Sequence, residues 1–159
     1  MGSVHWRFHC RVSVMSAAVV SILSAGVFFL FGLITGVIKY QQIVASPQGR
    51  AHIYIDVCHR ASLMYAFACL LIYQFVLISE LADWLELTAV VMLVFYFATA
   101  VISYFIHGIK QDTRNQLHLP EGQKATFVHK TIPLYMWTLI AAEIGGFLIL
   151  FYGAVLALV

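Results

Sequence analysis

Four long apolar stretches separated by short polar segments organise this chain. Residues 14–38, 61–79 and 87–106 carry no charged side chain, and residues 131–159 carry one, Glu143. A helix of about 20 residues crosses a hydrocarbon core of roughly 30 Å, so each stretch is long enough to span. Inside a bilayer only helices and closed barrels satisfy their own backbone, and these runs are too long and continuous for barrel strands. The pattern predicts an all-α integral membrane four-helix bundle forming a single domain. Its helices fall at about 14–38, 51–79, 87–108 and 131–157.

The polar breaks set the details. Ser46-Pro47-Gln48-Gly49 is a turn signal, and the second helix is expected to open near Ala51. Run from 51 to 79, that helix is about 44 Å long at about 1.5 Å per residue, so its polar first turns belong at the interface or against protein. The segment 80–86 is short and acidic, with Glu80, Asp83 and Glu86, and makes the second and third helices antiparallel neighbours. The third connection, 110–130, is the longest and contains Pro120 and Gly122. Gly26, Gly32 and Gly36 in the first helix are small-residue positions where another helix can approach. The first apolar run follows Arg7 and Arg11 as a signal peptide would. It is far longer than the about 7–15 residues of a signal core, so it reads as a helix.

Composition agrees with this picture: 62% of residues are hydrophobic and 10% charged. A net charge of +2 gives no reason to expect nucleic acid. Cys10, Cys58 and Cys69 form no C-x-x-C pair. Lys and Arg number seven in the first and third connections with the start of the second helix, against two in the N-terminal lead. That balance places those connections in the cytoplasm and both termini outside. No phosphate-loop, zinc-protease or nucleophile-elbow motif occurs.

Candidate chemistry gathers where charge meets the apolar runs. Arg50, His52, Asp56, His59 and Arg60 open the second helix, and spacings of four and three put His52, Asp56 and His59 on one face. Two imidazoles with a carboxylate between them suit a metal or a heme. The alternative is an interfacial helix start, with Asp56 paired to Arg60. Tyr104 and His107 lie three apart near the end of the third helix, at the same membrane face, as a general acid or an interfacial pair. Glu143, beside Gly145 and Gly146, is the one acid well inside a span and reads as a proton relay, a substrate contact or an interhelical bond.

The segment Ser46-Pro47-Gln48-Gly49-Arg50-Ala51-His52, with Val101-Ile102-Ser103-Tyr104-Phe105 near the end of the third helix, resembles the bacterial styrene oxide isomerases and, more loosely, the hydroxylaminobenzene mutases. The resemblance implies a bacterial inner-membrane, homotrimeric protein that holds heme b and rearranges a small lipophilic substrate, such as an aryl epoxide, within the membrane lipid. His52 would be the axial metal ligand and Tyr104 the substrate-side tyrosine; Asp56 on the same helical face, with Arg60 one turn on, joins His52 as a cofactor-binding candidate. Where the family has an asparagine six residues after the histidine, this chain has Cys58 followed by His59. Those two residues then become the candidate catalytic groups, and the substrate is left open. Two histidines on one heme would instead close the iron and imply a non-catalytic, electron-transfer or structural subunit of a larger complex. The eicosanoid and glutathione membrane enzymes also open their second helix in an Arg-Ala-His-like way, but their following Asn and Glu are absent here.

Overall fold

The computed structural model describes residues 11–117 and 127–159, with side chains placed at 17–117 and 131–159. The N-terminal lead with Cys10, and Pro120 and Gly122 of the third connection, lie outside the described residues. The chain is all-α: α1 is Arg11–Ala45, α2 Ile53–Ile78, α3 Asp83–Lys110 and α4 Phe127–Leu158. All four are long and apolar enough to cross a membrane. Only 22% to 33% of each apolar window is buried within the chain, which leaves most of the apolar surface for lipid or for other chains.

Helix limits depart from the apolar runs in instructive places. α1 passes Ile38 and continues to Ala45 because its polar last turns are held from outside. Lys39 pairs with Asp56 of α2 at 2.6 Å, and Gln42 donates to the Gly108 carbonyl of α3 at 3.2 Å. The following turn closes with the Gly49 N–H on the Ser46 carbonyl at 3.0 Å, with Pro47 in its second position. Gly49 has φ +63, where a side chain would be strained. α2 begins at Ile53, with His52 as its N-cap and not its second residue. α3 begins at Asp83, so Glu86, which the acidic pattern assigned to a connection, lies in its first turn. α4 starts ahead of Thr131 and keeps Pro133 inside it.

α2 and α3 form the centre. α1 packs on both, α4 packs on both, and α1 and α4 do not touch among the described residues. The result is a four-helix layer in which α1 and α4 flank the α2–α3 pair, each packed on both of its helices. α2 buries a stripe of mostly small residues, Cys58, Ser62, Ala66 and Cys69, at steps of four and three, and meets α3 at Cys58, beside the Val101 carbonyl. The closest approach of one backbone to another is at Gly108, where an added Cβ would lie 2.8 Å from the Ile55 nitrogen; at Gly36 it would meet the His59 ring at 3.0 Å. The buried hydroxyls of Ser21, Thr35 and Ser62 donate to carbonyls one turn back, at 2.7 to 3.0 Å, so the core holds them without outside partners.

Candidate functional site

The polar end of the layer is built by the last turns of α1, the start of α2, the end of α3 and the strap 111–117. His52 is fixed at its backbone, whose N–H donates to Gln42 Oε1 at 2.9 Å. Gln42 thereby ties α1 to the α2 cap and to the α3 carbonyl of Gly108 at once. The His52 ring accepts a long contact, 3.4 Å, from the Tyr54 N–H through Nδ1. Among the described residues Nε2 makes no hydrogen bond. The ring lines a cleft of about 570 Å³, together with Gln42, Gln48, Arg50, Gln111 and Arg114. Burial and then the nearby Arg114 guanidinium push the His52 pKa below the ordinary imidazole value.

Behind His52 stands a group of rings. Tyr54 lies 6.0 Å from His52 and is stacked on Tyr104 at 6.0 Å and 13°. His107 sits 5.7 Å from Tyr54. The strap is bound to this group: the Gln116 N–H donates to the Tyr54 hydroxyl at 2.7 Å, and Ser103 donates to Gln116 Oε1 at 2.7 Å. His107 Nδ1 donates to Asp112 at 2.7 Å, and that bond holds the Asp112 carboxyl below the usual carboxylate range.

The polar residues expected to share one face are divided. His59 Nδ1 donates to the Gly32 carbonyl at 2.7 Å, with the ring against Gly36 of α1. Asp56 also turns to α1: it pairs with Lys39, and with Arg60 at 2.7 Å. Arg60 is the more exposed partner, with 66% of its side chain accessible. Cys58 is fully buried, and its thiol donates to the Val101 carbonyl of α3 at 3.6 Å. Tyr104 reaches His52 only through the intervening Tyr54 ring. The cleft therefore brings together His52, Arg50 and Arg114, and does not include His59, Asp56, Cys58, Arg60 or Tyr104.

Sequence reasoning passed over Gln42, Tyr54, Arg114 and Glu86. Tyr54 carried a usable signal, because it is the first member of the stripe that continues at Cys58, Ser62 and Ala66. Glu86 is completely buried; the Ser79 hydroxyl is its polar neighbour, but neither carboxyl oxygen makes a hydrogen bond of ordinary geometry among the described residues. Glu143 faces a separate groove, and its buried Oε1 also has no partner among the described residues.

No group of three or more His, Cys, Asp or Glu side chains placed to hold a bare metal ion occurs among the described residues. A heme asks for less: one axial nitrogen and cationic groups for two propionates. His52 Nε2, Arg50 and Arg114 on one cleft match that donor set. Ligation through Nε2 puts the ring proton on Nδ1, so the long contact from the Tyr54 N–H would be given up, at a cost of about 1 kcal/mol for a lost cap. No family model, no curated protein and no solved structure matches this chain.

Proposed function

We propose that this chain is a heme b isomerase of the bacterial inner membrane, with His52 as its single axial ligand and a small lipophilic molecule as substrate. The observation that carries the reading is the separation of the two candidate imidazoles: His59 is held against α1, while His52 lines the cleft with Arg50 and Arg114. One ligand favours substrate chemistry over the closed, two-histidine arrangement of an electron-transfer subunit. When bound, ferric heme would supply a Lewis acid for a substrate oxygen or nitrogen.

The chain's own contributions follow from position. Arg50 and Arg114, both at the cleft, would neutralise the heme propionates. Tyr54, its hydroxyl already engaged by Gln116, forms the wall. Tyr104 stacks behind Tyr54, outside the cleft, and holds that wall in place. Most of each apolar helix surface is left uncovered by the chain itself, which leaves room for a homotrimer whose neighbouring copy completes the site.

The test is the absorption spectrum of protein produced with ample heme. A Soret band that survives His59→Ala and disappears in His52→Ala supports the reading. The reverse pattern, or no band in the unaltered protein, removes it. Tyr104→Phe should then keep the band and cost far less turnover of an aryl epoxide than the about 10²–10³ lost with a donor that bonds the reacting oxygen directly.

A further inference from the structure

We infer that the groove between α2, α3 and α4 around Glu143 binds a lipophilic ammonium ion that enters sideways from the lipid. The groove has a volume of about 320 Å³, at the lower end of the about 300–1,000 Å³ usual for small-molecule sites, which suits a single-ring amine. Glu143 is its one polar lining residue; Phe97 and Phe147 line it as well, and Leu71, Ile144 and Leu148 stand at its rim. Those three rim residues are 48%, 58% and 55% exposed, so the groove opens through apolar side chains toward the bilayer and not toward water.

The chemistry of the lining selects the ligand. A carboxylate near the middle of a membrane helix is tolerated where a cation or a hydrogen-bond donor answers it. Here Glu143 Oε1 is buried without a partner among the described residues, and no Lys, Arg or His lines the groove. The missing partner is a positive donor, and the ligand has to bring it. Aromatic faces attract the same kind of group, because the negative face of a ring favours a nearby cation. Phe97 is held in place for this by stacking on Tyr65 at 4.1 Å and 11°, and Phe147 by stacking on Phe151 at 6.0 Å and 12°. The α4 backbone can come close because Gly146 faces Leu93 and the Ala89 carbonyl of α3, where an added Cβ would stand 3.1 Å and 3.3 Å away. An ammonium on an apolar body meets all of these: the charge goes to Glu143, the adjoining methylenes to the two phenyl rings, and the remainder to the leucine rim.

This site shares no residue with the cleft at His52, and its test is independent of heme. Full-length protein in lipid nanodiscs is titrated calorimetrically with phenylbutylammonium and with phenylbutanol, its uncharged counterpart, against empty nanodiscs. The ammonium should bind saturably, and at least about tenfold more tightly than the alcohol, the difference expected of a charge-assisted bond. Glu143→Gln, which keeps the shape, should lose about tenfold or more in ammonium affinity, leave alcohol binding and the melting temperature unchanged, and so separate lost recognition from lost folding. Phe147→Leu should weaken the ammonium a few-fold. Absence of saturable binding, equal binding of alcohol and ammonium, or unchanged affinity in Glu143→Gln overturns the inference, and the last two results would mark a groove that holds lipid tails or a helix of a second copy.

Discussion

The polar end of the layer and its α3–α4 side use polar groups in opposite ways. At the polar end, Gln42, Asp56, His59, His107 and Gln116 each bond another part of the chain, and together they fix three helices and a strap. On the α3–α4 side, Glu86 is fully buried and Glu143 partly so, and each keeps a buried carboxyl oxygen outside any hydrogen bond of ordinary geometry among the described residues. A charged residue near a membrane is therefore not one kind of signal. Where the chain supplies the partner, the residue is architecture. Where it does not, the residue either costs stability or waits for something that arrives from outside.

The largest effect expected from this contrast is at the polar end. Gly108→Val places a branched side chain on the Ile55 backbone, where even a Cβ would come within 2.8 Å. Overpacking of that kind costs about 1–3 kcal/mol or more, and the α2 cap and the strap should loosen together. A large drop in melting temperature with new protease cleavage in 111–117 is the expected result; an unchanged melt would mean that the α2–α3 contact is not rigid.

Next comes His59→Ala, which removes the bond to Gly32 and the ring filling the space at Gly36. A loss of about 1–3 kcal/mol is expected. His52→Ala, which removes only a long cap contact, should cost about 1 kcal/mol or less. Thermal unfolding of the two variants side by side checks the order, and a larger loss at His52 would reverse the assignment of architecture and site. Glu86→Leu works on the other region and in the other direction. Replacing a buried acid that makes no hydrogen bond of ordinary geometry with an apolar side chain of similar size should raise stability by about 1–3 kcal/mol. A lower melting temperature would show that the neighbouring Ser79 hydroxyl bonds the Glu86 carboxyl and holds it in place.

The pattern of apolar runs made the four spans legible, because a span needs a length of uninterrupted hydrophobic chain and little else. It did not reveal the last turns of α1, since Lys39, Tyr40, Gln41 and Gln42 look like a connection until α2 and α3 supply their partners. Helical spacing put His52 and His59 on one face. The helix starts one residue after His52, so the periodicity does not apply to it. Glu86 and Asp83 read alike as acids of a short connection. Once α3 begins at Asp83, the first turn leaves Asp83 partly exposed and carries Glu86 into the core.

The smallest expected effect is a titration. The folded state holds the His52 pKa below the ordinary imidazole value, so the folded chain resists taking up that proton. Its contribution is intact above the ordinary value and declines as pH falls beneath it, because the unfolded chain then binds the proton more readily. The His52 imidazole resonance followed by NMR should titrate at lower pH than a free histidine, and Arg114→Gln should move the midpoint up. A midpoint at or above the free value would break the link between His52 and Arg114.

The four-helix layer also orders events in time. Every residue of the polar end, from Gln42 to Gln116, precedes α4 in the chain, and none of its bonds requires α4. A nascent chain whose first three helices have entered the bilayer already holds all the parts of the cap, the ring stack and the strap. Glu143 and the walls of its groove come together only when the last helix leaves the ribosome and docks. The molecule is thus completed from its polar end toward its lipid-facing groove, and a chain halted before α4 would carry the first site without the second.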